Sequence, residues 1–146
     1  MAEQPPSASA APAGAAGQSR AERLRRILAD MAQLERVRGG ILVAPDGFVI
    51  AAQLPAEIPL EPLAAVAATL GRELELGADR LGRGMVGTAF FSAEDGTLFL
   101  GGGPVGFLAV VAGRDADVGR LRDEVKKSVD ALQQMWRAGD HRGGNL

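Results

Sequence analysis

The sequence predicts an α/β domain of the α+β type, in which a hairpin-rich sheet is flanked by helices. Three observations carry that reading. Apolar residues recur at helical spacing in three segments, from about Ser19 to Leu34, Leu60 to Leu76 and Val118 to Trp136. Short apolar runs fill the intervals, separated by turn chemistry such as Pro45-Asp46-Gly47 and Ala93-Glu94-Asp95-Gly96. Several runs are nearly continuous instead of alternating, which suits strands covered on both faces and calls for helices on both sides. The order is helix, two strands, helix, three strands, helix.

The first helix has a sharp start. Ser19 and Glu22 form an S-x-x-E capping box, in which hydroxyl and carboxylate each accept a backbone N–H. Leu24, Ile27, Leu28, Met31 and Leu34 make its apolar stripe, with Arg23, Arg25, Arg26, Asp30 and Glu35 outside it. Gly39-Gly40 is the expected stop, since glycine closes a helix in the left-handed conformation at little cost. A hairpin follows, with strands at Ile41 to Ala44 and Phe48 to Ala52. Its Pro-Asp-Gly loop combines a preset φ, a side-chain turn and a residue tolerant of positive φ.

The second helix is expected from Leu60 to about Leu76. Pro55, Pro59 and Pro62 precede it or fall in its first turn, where a missing N–H does no harm. Leu63, Val66, Ala67, Leu70 and Leu74 read as its core face. The other side carries Ala64, Ala68 and Gly71, small residues at spacings that let another backbone approach. Either these form a seam with a second helix, or the chain simply uses alanine as its best helix former. Three further strands fit Met85 to Ser92, Thr97 to Leu100 and Val105 to Ala112. The last, most continuously apolar, should be central. Asp115 or Asp117 caps a third helix whose stripe is Val118, Leu121, Val125, Val129, Leu132 and Trp136, with Arg122, Lys126, Lys127 and Asp130 facing water.

At 146 residues one domain is the natural expectation. Residues 1–18 hold seven Ala, three Pro, two Gly and two Ser, a composition expected to form a disordered arm. The arm lacks the basic and apolar regions of a secretory signal. The domain should then cover residues 19–137, with a flexible tail over 138–146. Net charge is −2, which gives no global electrostatic case for nucleic acid. No cysteine is present, so disulfides, thiolate zinc sites and a Cys nucleophile are excluded. The apolar runs are too short to insert in a membrane, and the cytoplasm is the expected compartment.

No catalytic constellation emerges. The glycines at 82–84 and 101–103 lead into strands and lack the Lys-Ser or Lys-Thr of a phosphate loop. His141 is the single histidine, and with no cysteine it cannot supply a zinc set. Glu73, Glu75, Glu94 and Asp95 read as solvated charge. Arg83, between two glycines, reads either as a solubilising loop residue or as an arginine presented to a phosphoryl group in trans. No catalytic residue, metal ligand or cofactor is assigned, and the chain reads as a binding protein and not an enzyme.

Across about Ser19 to Trp136 the chain resembles the roadblock, or dynein-light-chain-like, family, and within it the bacterial MglB-type branch. The resemblance rests on the element order and on three matches: "GGILVAPDGFVIAA", "PLEPLAAVAATLGREL" and "FLAVVAGRDADVGRLRDEVKKSVDAL". It implies a five-stranded antiparallel sheet between the first and third helices on one face and the second on the other. It implies a homodimer formed through the second helix and the strand after it, with Ala64, Ala68, Gly71, Met85, Gly87 and Ala89 at the interface. It further implies a small Ras-like GTPase as partner, met by Glu61, Ala65, Thr69, Arg72 and Glu73. Regulators of this branch act by remodelling the GTPase's own switch region, which makes Arg83 less like an inserted finger. The second helix lacks the central Asn common in the polarity-protein branch. A scaffold module with no direct GTPase contact is the alternative.

Overall fold

The computed structural model describes residues 19–144, with side chains through Arg137. The expected arm at 1–18 lies outside the described residues. The elements are α1 (Arg20–Ala32), β1 (Val37–Val43), β2 (Val49–Gln53), α2 (Leu60–Arg80), β3 (Thr88–Ala93), β4 (Gly96–Gly102), β5 (Phe107–Ala112) and α3 (Val118–Gly144). The strands form one antiparallel sheet in the order β2-β1-β5-β4-β3. The fold is the three-helix, five-stranded α/β arrangement expected, and β5 is its central strand.

Two apolar clusters, one on each face, hold the layers together. On one face Leu24, Leu28 and Met31 of α1 and Leu121, Val125, Val129, Leu132 and Met135 of α3 pack on Leu42, Phe99, Leu108 and Val110. The opposite face buries Ala64, Ala67 and Ala68 of α2 against Ile41, Val43, Leu98, Leu100, Phe107 and Ala109. Alternation along the strands produces this division, because neighbouring side chains point to opposite faces. Phe99 goes to one cluster while Leu98 and Leu100 go to the other.

Local chemistry fixes the element ends. The Ser19–Glu22 capping box is present in both directions, at 3.1 Å and 3.0 Å. In the β1–β2 loop Gly47 has φ 95° and the Phe48 N–H donates to Asp46 Oδ1 at 3.0 Å. Asp117 caps α3 by accepting from the Arg120 N–H at 3.1 Å.

Several boundaries differ from expectation. Helix α1 ends at Ala32 with Gln33 as its cap, and Arg36, at φ 70°, takes the left-handed position. Gly39 and Gly40 lie inside β1, buried, where a Cβ on Gly40 would come within 2.9 Å of the Ala109 carbonyl. These glycines permit close strand pairing and do not stop a helix. Helix α2 continues to Arg80, a turn past Leu76. Strand β3 starts at Thr88, so Met85 and Gly87 belong to the preceding connection. The α3 backbone runs on through Gly144, past the expected start of a tail.

Candidate functional site

Helix α2 is rolled on the sheet relative to the sequence reading: Ala67 is buried as expected and Leu63 and Leu70 pack half-buried against the core, but the small residues lie deepest. Ala64, Ala67, Ala68 and Gly71 are its buried face. Val66 is 47% exposed and Leu74 38%, although both were expected in the core. The reason is distance. A Cβ added to Gly71 would lie 2.6 Å from the Phe107 ring, so the helix lies too close to β5 for larger side chains. The small-residue stripe is therefore consumed by the protein's own sheet. Ala64, Ala68 and Gly71 cannot also face a second helix, which corrects their expected place in a dimer seam.

The larger apolar residues of α2 form a flank instead. Leu63 and Val66 border a groove of about 380 Å³ whose far wall is Phe91 and Ala93 of β3, with Leu98 among the lining residues. Leu70 and Leu74 continue the same helical row toward the C-terminal end. Among the described residues, strand β3 is at the edge of the sheet and pairs only with β4. Its Ala89 and Phe91 stand opposite Leu100 and Leu98, so they share the α2 face. Phe90 goes to the other face, with its ring centroid 5.5 Å from that of Phe99. Phe90 and Phe91 are 44% and 45% exposed. An open row of backbone donors and acceptors thus runs beside exposed aromatic and aliphatic side chains. Such an edge is a template for pairing unless it is covered.

Of the other residues expected at a dimer interface, Ala89 lies in this edge strand. Met85, 86% exposed, and Gly87 lie in the α2–β3 connection, where the Gly87 carbonyl accepts from the Gly102 N–H at 3.0 Å. There they face a depression shared with Lys126 and Gln133 of α3.

The opposite flank of α2 is polar. Glu61, Ala65, Thr69 and Arg72 are exposed and border a depression of about 290 Å³ closed by Asp46 and Gly47 of the β1–β2 loop. The Arg72 guanidinium donates to the Pro45 carbonyl, which ties α2 to that loop. Glu73 is exposed on the same helix. The structure therefore gathers four of the five expected partner-binding residues into one strip. Arg83 sits past the end of α2, exposed, its N–H bonded to the Ala78 carbonyl at 2.9 Å.

Phe91, Val66 and Leu74 are the site residues that sequence reasoning missed. The row Leu63, Val66, Leu70, Leu74 was visible as a periodicity, but periodicity alone does not say which of two faces meets the sheet. Among the described residues no group of His, Asp or Glu is arranged to hold a metal ion. No described helix is long and apolar enough to cross a membrane.

No family model matches the sequence. The uncharacterized protein MJ0310 of Methanocaldococcus jannaschii is 27% identical over 111 residues, 76% of this chain and 97% of that protein. Among solved structures, a Roadblock/LC7 domain from Streptomyces avermitilis is similar with a TM-score of 0.69 and 22% identity, over 77% of this chain and 97% of that one. Myxococcus xanthus MglB is similar with a TM-score of 0.75 and 16% identity, over 83% of this chain and 92% of that one. The fold is that of the Roadblock/LC7 domain and of MglB.

Proposed function

We propose that this chain is a homodimeric, non-enzymatic platform that binds a small Ras-like GTPase and acts by positioning that partner's switch elements. The observation that carries the reading is the apolar flank of α2 lying beside the unpaired edge of β3. Pairing of β3 with β3 of a second copy would satisfy the open backbone groups. It would also bring Leu63, Val66, Leu74 and Phe91 into an interface of the kind that typically buries about 1,200–2,000 Å². Covering that flank leaves the polar strip of Glu61, Ala65, Thr69 and Arg72 free on the other side of the helix. The MglB-like fold and the sequence resemblance to a family of GTPase regulators support a GTPase as the partner of that strip.

Two measurements test the proposal separately. Sedimentation at micromolar concentration should give twice 15.1 kDa, and a clean monomer would remove the dimer. Single-turnover GTP hydrolysis by a small Ras-like GTPase that binds this chain should accelerate when the chain is added. Arg83→Ala should leave that rate within a few-fold, because an inserted arginine is worth on the order of 10³–10⁵. Arg72→Glu should weaken binding. Collapse of the rate with Arg83→Ala at unchanged affinity would restore the finger. Tight binding without stimulation would favour the scaffold reading.

A further inference from the structure

The layer opposite α2 holds a second groove. Helices α1 and α3 pack antiparallel there, with Arg20 of α1 stacked 4.4 Å over the Trp136 ring at one end and Ser128 of α3 donating to Met31 Sδ at 3.2 Å further along. Between them lies a trough of about 470 Å³. Its sides carry Arg23, Arg26 and Asp30 from α1 and Gln134 from α3, and Ile27 and Met135 also line it. Met135 is buried and Ile27 half-buried, so the apolar floor lies below the exposed arginines.

The charge is one-sided. Arg20, Arg23 and Arg26 make no ion pair among the described residues, where the salt bridges are Arg38–Glu57 and Lys127–Glu124. Arg23 and Arg26 are three residues apart, about 4.5 Å along the helix axis. They can therefore each meet one of two neighbouring carboxylates. Arginine suits this, since its planar fork matches a carboxylate in a bidentate pair. Asp30 stands at the far end of the same wall and disfavours a ligand that is negative along its whole length.

We infer that the α1–α3 groove is a second docking site, taking an acidic peptide segment of a partner protein with an apolar side chain seated on Ile27 and Met135. Charge complementarity selects the acidic groups, and the recessed floor selects a peptide over a flat surface. A bilayer would meet the projecting arginines but not the floor. Nucleic acid is disfavoured by Asp30 and because the one aromatic ring beside the arginines, Trp136, is half-buried with Arg20 already stacked on it. This site lies on the opposite face of the sheet from the α2–β3 surface, so both could be filled at once.

The test uses the full chain and a fluorescein-labelled peptide repeating Glu-Glu-Leu, read by anisotropy and by emission of Trp136, the one tryptophan in the sequence. Saturable binding is expected, with amide shifts confined to Arg23–Asp30 and Ala131–Trp136. R23E/R26E should weaken it at least about tenfold, as loss of close charge pairs does. R114E/R122E, an equal charge change at exposed positions elsewhere, should stay within about twofold. Unaltered thermal melting of R23E/R26E separates lost binding from lost folding. The inference is overturned by equal weakening in both double variants, or by equal binding of a Gln-Gln-Leu peptide. It is also overturned if only phosphatidylserine vesicles or a single-stranded oligonucleotide bind, or if R23E/R26E changes the sedimentation of the free protein, which would give the groove to a second copy.

Discussion

Two glycines of α2 show how one atom decides the role of a position. A glycine in a helix interior ordinarily costs about 1 kcal/mol relative to alanine. At Gly77 nothing lies within 4 Å of an added Cβ, so Gly77→Ala should stabilise the fold by up to about 1 kcal/mol. At Gly71 the added Cβ would meet the buried Phe107 ring at 2.6 Å. The contact is with a ring face held in a packed core, which has little room to give. Gly71→Ala should therefore reverse the sign and destabilise by about 1–3 kcal/mol, the usual cost of overpacking. Denaturant unfolding of the two single variants checks both directions. Similar stabilisation by each would mean that α2 stands further from the sheet than described.

Helix α2 joins its residues into three surfaces with different jobs. One face of small residues is spent on the sheet, one apolar flank looks toward β3, and one polar flank looks toward the β1–β2 loop. Substitutions should sort by surface. Ala68→Arg forces a long charged side chain into a position 2% exposed against the sheet, and it should destabilise the fold strongly through overpacking and burial of charge. Val66→Lys lies on the half-exposed flank and should leave the thermal midpoint nearly unchanged while converting dimer to monomer. Sedimentation and thermal melting of both variants discriminate the surfaces. A folded monomer from Ala68→Arg would put the seam back on the small-residue stripe.

At the scale of the domain, the described residues form a sheet between two helical layers, with β2 and β3 as its edge strands. The expected arm, residues 1–18, is rich in Ala and Pro and can bury little apolar area. Deleting it should move the thermal midpoint by less than about 5 °C, the scale of a 1 kcal/mol change in a small domain. A larger drop would mean that the arm packs against the domain. Dimerisation and GTPase binding are expected to be linked if the GTPase spans the polar strips of both protomers, since such a partner binds the dimer more tightly than the monomer. Val66→Lys should therefore also lower the affinity for the GTPase, whereas Arg72→Glu should lower that affinity with the dimer intact. Pull-down of the GTPase alongside sedimentation of each variant gives the comparison.

The element order, the capping box at Ser19, the Pro45-Asp46-Gly47 loop and the central place of β5 were legible in the chain before any contact was known. Each of these follows from local rules: period, cap chemistry, turn residues and a continuous apolar run. Glu61, Ala65, Thr69, Arg72 and Glu73 stay a proposed partner surface, expected from the resemblance and, for Arg72 and Glu73, from their place off the core face of the helix. How far α2 is rolled on the sheet was not legible in the chain: Ala67 is buried as expected, but Ala64, Ala68 and Gly71 lie deepest and Val66 and Leu74 are turned outward. Leu63, Val66, Leu70 and Leu74 form as good a helical stripe as Ala64, Ala67, Ala68 and Gly71, and hydrophobicity favours the larger set. The choice was made by the separation between α2 and β5, which leaves no space for a Cβ at Gly71 over the Phe107 ring. That separation depends on residues far apart in the chain, so no window of sequence contains it.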